Sequence, residues 1–397
     1  MKVYLFDLLP YGAHFDKQFK DLPYPLPGKY FDPKVAQRNY AEHIEAWKLM
    51  DRFGFDGVGF NEHHTTPHGL MNSPNIMVAT AAQHTKNLKF VIMGHLLPMH
   101  NPLRIAEETA MVDILSNGRV IAGLARGAPR EYHVFSMPAA EARARFEESH
   151  EIIMKAWTEE QFSHEGKYWS FKDISIWPRP LQQPHPPVWI PVTGTKETLD
   201  WAGARNYPIV LPEFASGLIE DVIGYYAKAV ARTGKRVTPD QMTLFADAWV
   251  SDSKAKAIEE YGPYYVYFQN MLFGHGNSTA LSRLGSARNP TSFDYVRPEN
   301  RAAVGGERVK TAAFTMADVE KRVADRAAWG SPDEVAERLI DEAEHAGVNG
   351  VLLNVNLGAM PHELFMEQIK RFGEKVLPKL HAHQVTRVRP AEMVGAV

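Results

Sequence analysis

The chain has 397 residues, 45% hydrophobic and 23% charged, a globular mixture with enough apolar side chains for a sizeable core and unlike a disordered segment. Its formal net charge of -3, without any run of five or more like charges, points away from nucleic acid and membrane surfaces and leaves a small-molecule site as the expectation. The absence of cysteine excludes disulfides, thiolate metal sites, cysteine-ligated iron–sulfur clusters and cysteine nucleophiles.

From Met1 to Pro10, Lys2 is followed by a short apolar run with no small-residue cleavage site, which reads as a buried strand rather than a signal peptide. No stretch of 18 or more apolar residues occurs, so no membrane span is expected and the cytoplasm is the expected compartment. Strand-like runs lie near residues 3–9, 56–61, 89–97, 119–125, 188–193, 208–212, 243–250 and 349–355, with helical patterns between most of them. In the first of these patterns, Tyr40, Ile44, Trp47 and Met50 share one helix face, and Glu42, Glu45, Lys48 and Asp51 fill the positions between. Near the end, Ser331-Pro332-Asp333-Glu334 is a capping box with proline at the first helical position, which predicts a helix from there to about His345.

Strands alternating with helices predict a parallel α/β sheet, since parallel neighbours need helical crossovers. Eight of them fit a (β/α)8 TIM barrel, with a doubly wound open sheet as the competing arrangement. As a barrel, residues 1–397 form a single domain whose surplus over a typical barrel of about 250 residues falls in insertions near 159–187 and 262–325. The first is rich in aromatics and proline. In the second, Gly274 to Lys310 carries six Lys or Arg against three Asp or Glu, and reads either as a solvated, mobile loop or as a lid over an anionic ligand.

Chemistry-bearing residues gather at strand ends. Asn61-Glu62-His63-His64 closes the second strand, at the mouth of a parallel barrel. Alternation puts Val58, Phe60 and Glu62 on one face and Gly57, Gly59, Asn61 and His63 on the other, so the Gly and Asn face would look inward and leave room for a flat ligand beneath His63. Satisfied structural histidines are the plainer reading; a metal site is a third, weakened because adjacent histidines on a strand point to opposite faces and no spaced partner follows. Gly94, in Ile92-Met93-Gly94-His95, indicates close backbone approach by a ligand or unusual peptide geometry. Arg126, flanked by Gly123 and Gly127, could clamp a phosphate. Thr193-Gly194-Thr195-Lys196-Glu197-Thr198, where the fifth strand turns into a helix, could share that anion, or Thr195 could be an ordinary N-cap. Trp177, Trp189 and Trp249 read first as packing aromatics. No G-x-G-x-x-G follows a strand, and neither a P-loop nor a G-x-S-x-G elbow occurs, so neither a Rossmann-type dinucleotide nor ATP is implied.

The ordered run from Gly54 to Gly127 resembles the bacterial luciferase-like flavin monooxygenases: G-F-D-x-x-x-x-x-E-H-H, then L-P-x-x-x-P-x-R, then S-x-G-R and a strand ending in R-G. The resemblance extends to Gly330-Ser331-Pro332 and Val376-Leu377-Pro378. It implies a β/α barrel that takes reduced FMN from a separate flavin reductase, with dioxygen as co-substrate, and oxygenates a small organic substrate through a flavin peroxide. His63 matches the histidine that supports the flavin intermediate. Arg126, Thr195 and Thr198 match the phosphate-binding group, and Met93-Gly94 matches a pair joined by a non-proline cis peptide under the flavin. Ala125 departs from a reactive cysteine of luciferase and Gly194 from an acidic residue, which leaves flavin binding in place but not light emission or an aldehyde substrate. Leu96-Leu97-Pro98 with His100-Asn101-Pro102 looks closer to the family's monooxygenases of ring ketones and other organic substrates. The expected set is therefore His63 as catalytic residue, Asn61, Met93, Gly94, Arg126, Thr193, Gly194, Thr195 and Thr198 as cofactor-binding residues, no resident metal, and a homodimer or higher homo-oligomer. A deazaflavin-dependent hydride-transfer oxidoreductase and a non-catalytic flavin-binding protein are the alternatives.

Overall fold

The computed structural model describes residues 1–15, 26–193, 195–212, 218–273 and 313–388. Eight parallel strands close into a barrel: β1 (Lys2–Asp7), β2 (Gly57–Phe60), β3 (Lys89–Ile92), β4 (Val120–Ala125), β5 (Val188–Pro191), β6 (Ile209–Leu211), β7 (Met242–Val250) and β8 (Gly350–Asn354). Closure is set by the pairing of β8 with both β7 (Thr243 opposite Gly350) and β1 (Val3 opposite Val351). All eight lie on the predicted runs, and the open-sheet alternative is ruled out. A short strand, Ala328–Gly330, extends the end of β7.

Two apolar layers follow from strand alternation. Inside the barrel, Tyr4, Val91, Ile121, Trp189, Val210 and Leu352 pack together with Phe6, Met93 and Phe245. Outside, Val58, Phe60 and their counterparts meet the helices; the Phe60 ring stacks on Phe90 and takes the edge of Trp47. Gly57 and Gly59 do face inward, but the room they leave is filled by the protein itself. A Cβ on Gly59 would lie 3.1 Å from Phe6 and 3.2 Å from Leu352, so the expected slot for a flat ligand is not at this level.

The first helix, α1 (Pro33–Phe53), buries Ala36, Asn39, His43, Ala46, Trp47 and Met50, with Tyr40 and Ile44 at the flanks. Its inner stripe is thus rotated toward His43 relative to the apolar pattern. The cause is polar: fully buried Asp7, at the end of β1, accepts hydrogen bonds from His43 Nδ1 (2.7 Å), Trp47 Nε1 (2.8 Å) and the Leu9 amide (2.9 Å). A buried carboxylate must be paired, and that need outranks fuller burial of Tyr40 and Ile44 in setting the helix face. The capped helix near the end runs Pro332–Ala346, with the Ser331/Glu334 box formed.

Both expected insertions contain regular structure. Residues 159–187 hold an antiparallel ribbon, Phe162–Glu165 with Ser170–Ile174. Of 262–325, the described ends are helical, Lys254–Tyr267 with the wider turn Phe268–Phe273, and Met316–Asp325. The loop or lid expected between them lies outside the described residues.

Arg119, of the S-x-G-R motif, has a structural role. Its guanidinium donates to the carbonyls of Ser116, Ala82, Thr85 and Leu88 and to Thr85 Oγ1, at 2.6–3.1 Å, and covers the Phe90 ring. It therefore satisfies carbonyls left open where a helix (Pro74–His84) ends and β3 begins. Arg119→Ala is expected to cost about 2 to 4 kcal/mol of unfolding free energy, from lost charged hydrogen bonds and orphaned carbonyls. A urea midpoint equal to wild type would contradict this role.

Candidate active site

The C-terminal ends of β2 to β5 enclose a cavity of about 220 Å³. His63, Met93, Gly94, Arg126, Thr193 and Thr198, six of the nine candidate residues, line it. Thr195 stands behind Thr198, donating from Oγ1 to the Thr198 Oγ1 at 2.8 Å. Asn61 is below the wall, its Nδ2 given to the Asp7 carbonyl at 3.0 Å. Gly194 lies outside the described residues.

The floor is set by backbone proximity. Gly94 follows a cis Met93–Gly94 peptide, and a Cβ on it would sit 2.7 Å from the Gly123 carbonyl oxygen. On Gly123 a Cβ would sit 1.7 Å from the Ile92 carbonyl oxygen. Two strands meet here at a distance that only glycine permits, so the close approach expected of Gly94 is with the chain itself. Beyond it, His95 and Leu96 pair with Leu124 and Ala125.

β2 ends at Phe60, so strict alternation ends there too. Glu62, assigned by alternation to the outer face, lines the cavity beside His63. His63 Nδ1 lies 3.2 Å from Oε1 of Glu131, which is 1% exposed and also accepts from buried Arg130. Burial pulls the His63 imidazole below its ordinary range, with Glu131 opposing. The ring is thus neutral at pH 7, and its Nδ1 is held between two groups of opposite demand, the Glu131 carboxylate and the Arg130 Nη2, which lies 3.0 Å away and can only donate. Burial works against ionisation of Glu131 as well, but the hydrogen bond from His63 and the charge of Arg130 outweigh it and hold the carboxyl at about 2.

At the opposite end, Arg143 Nη2 donates to Thr198 Oγ1 at 3.2 Å, bringing a second cation to the wall that carries Arg126. Thr195 occupies the N-cap of the helix Lys196–Ala204 without a side-chain capping bond, its hydroxyl being turned to Thr198. The ordinary-cap reading is therefore set aside. Of the tryptophans, Trp189 packs inside the barrel on Tyr4, Trp249 stacks on Tyr261, and Trp177 is 88% exposed; Trp201 is the one on the cavity wall. Arg130, Glu131 and Arg143 escape sequence reasoning because each meets the site only through the fold, from helices Pro129–Val134 and Ala142–Thr158.

Residues 26–350 match the family model of luciferase-like monooxygenases. The chain belongs to that family. It is 26% identical over 355 residues to an uncharacterised Sinorhizobium fredii protein, covering 87% of this chain and 95% of that one. It is 29% identical over 244 residues to the oxygenase component of the flavin-dependent trigonelline monooxygenase of Acinetobacter baylyi, covering 60% and 67%. The oxygenating constituent of the Pseudomonas putida 3,6-diketocamphane monooxygenase, solved with FMN, superposes with a TM-score of 0.70 at 20% identity, over 98% of this chain and all of that one. This enzyme family shares the barrel, and among the described residues no helix is long and apolar enough to cross a membrane.

The buried titratable groups make stability depend on acid. Burial lowers His95 to about 4, below the ordinary 6.5, and Glu62 and Glu131 lie at about 2, below the ordinary 4.5. Folded pKa values below unfolded ones mean stability present at high pH and lost on acidification, between 6.5 and 4 for His95 and between 4.5 and 2 for the carboxylates. Unfolding free energy should fall from pH 6.5 downward, and His95→Gln should flatten the segment between 6.5 and 4. An unchanged slope in that segment would exclude His95 as its source.

Proposed function

We propose that the chain is the oxygenase of a two-component system, taking reduced FMN and dioxygen and transferring one oxygen atom to a small organic substrate. The observation that carries the reading is a single cavity with a cation-and-hydroxyl end (Arg126, Arg143, Thr193, Thr198), an apolar middle (Met93, Leu124, Ile190, Val192) and a neutral imidazole at His63. Two guanidiniums and two hydroxyls fit a phosphate dianion, and the apolar middle of the cavity fits a flat ring. The named relatives support it: one is an oxygenase component of a flavin-dependent monooxygenase, and one structural neighbour holds FMN. A separate reductase as partner follows from the same reading.

Reduced FMN, when bound, supplies the electrons that activate dioxygen. The protein's part is positioning and proton control. Arg126 and Arg143 would hold the phosphate, with Thr198 oriented by Thr195. His63 would take or hold the proton at the reacting centre, while Glu131 and Arg130 orient the ring through Nδ1 and Glu131 offsets the imidazolium charge as it forms.

Three measurements test this. Arg126→Ala and Arg143→Ala should each weaken FMN binding roughly 10- to 100-fold, the worth of a charged hydrogen bond, and leave riboflavin binding nearly unchanged; equal losses for both ligands would refute the clamp. His63→Asn should lower kcat about 10²- to 10⁴-fold with little change in FMN affinity. Oxygen uptake with reduced FMN, across ketones, aldehydes, sulfonates and N-methylated heteroaromatics, should show substrate-dependent consumption and a product heavier by one oxygen. Tight FMN binding without such uptake would identify a non-catalytic flavin binder, and selective binding of reduced deazaflavin a hydride-transfer enzyme.

A further inference from the structure

Glu62, His64 and His100 form a second constellation at the edge of the cavity, joined through the Glu62 carboxylate. Oε1 of Glu62 lies 3.1 Å from His64 Nε2 and 2.5 Å from His100 Nε2, and the three atoms all lie within 4.8 Å of one another. The obstacle raised against a metal here, that neighbouring histidines on a strand diverge, does not apply. His63 turns to Glu131, whereas His64 finds its partner in His100, delivered by the turn after β3.

We propose that Glu62, His64 and His100 bind a divalent transition ion of the zinc class, through one carboxylate oxygen and two imidazole Nε2 atoms. Two histidines and a glutamate are a donor set that zinc accepts with a fourth position left for water. Tetrahedral zinc with bonds of about 2.0 to 2.1 Å keeps its ligand atoms about 3.3 Å apart. The Glu62–His64 distance is already near that value, the Glu62–His100 pair has to open by about 1 Å, and the two imidazoles, whose ligand atoms lie within 4.8 Å of each other, need a side-chain adjustment to complete the set. The supporting contacts are those of a built site. Glu62 Oε2 is pinned by the Leu96 amide at 3.2 Å, which leaves Oε1 as the ligand atom. The Phe135 ring stands edge-on to both imidazoles, at 4.7 Å from His64 and 6.0 Å from His100, limiting their rotation. Glu62 is 1% exposed, while the His64 and His100 side chains keep 15% and 28% of their surface open, so an ion can enter from the imidazole side. On binding, the two ring protons now shared with Glu62 move to Nδ1 or to solvent, and the ion takes their place between the three atoms.

This inference rests on ligand geometry and not on flavin binding, so it is tested on the full chain without flavin. Metal-free protein is titrated with Zn²⁺ against a chromophoric chelator, and with Co²⁺ as a spectroscopic substitute. The expected result is one ion per chain and the intense visible absorption of four-coordinate Co²⁺. His64→Asn and His100→Gln, each checked for native thermal unfolding, should weaken Zn²⁺ binding at least tenfold. His164→Gln, at a surface cleft where His164 faces Glu148 and Glu151, should leave it unchanged. The proposal is overturned if wild type binds no tighter than the His64→Asn/His100→Gln double variant, if Co²⁺ remains six-coordinate, or if His164→Gln is the substitution that removes binding.

Discussion

The mouth of this barrel is organised by two strands that pass closer than any side chain allows. Where Ile92 and Gly123 meet, and again between Gly94 and Gly123, one added Cβ would overlap a carbonyl oxygen. That approach lets the chain leave β3, pair two more residues with β4 at His95 and Leu96, and only then turn away. The site depends on this offset in three ways. It puts Met93 and Gly94 in the floor, presents the Leu96 amide to Glu62, and brings His100 across to the same carboxylate. Relaxing the contact would displace all three together, because they hang on one short length of backbone.

Buried carboxylates then divide the mouth histidines into working pairs. Asp7 holds His43 and fixes how α1 lies on the barrel; Glu131 holds His63; Glu62 holds His64 and His100. Each carboxylate is almost wholly out of water, so each must keep its partners, and each histidine is thereby given one orientation. The adjacent His63 and His64 illustrate the result, since a single step along the chain separates the histidine paired with Glu131 from the pair held by Glu62.

Much of the fold was legible because barrel strands carry short-range signals. All eight apolar runs became barrel strands, and the Ser331 box and Arg126 at a strand end read correctly without any knowledge of neighbours. What escaped is long-range. Arg143 reaches Thr198 across 55 positions, Glu131 reaches His63 across 68, and His100 reaches Glu62 across 38, and no local periodicity encodes such meetings. Alternation failed at Glu62 because β2 stops at Phe60, and the inward glycines of β2 misled because Phe6 and Leu352 fill the space they leave.

Helix Ala142–Thr158 ties the excursion at 159–187 to the Arg126 and Thr198 end of the cavity. Its first turn carries Arg143 to Thr198, and about a turn and a half later Glu148 accepts from the amides of Lys167, Tyr168 and Trp169, gripping the tip of the ribbon. Helix and ribbon therefore behave as one mechanical part, anchored at the barrel by an arginine and at its outer end by a glutamate. In recombining segments between family members, 142–174 is the natural unit of exchange: a graft that cut between helix and ribbon would part Glu148 from the three amides it serves.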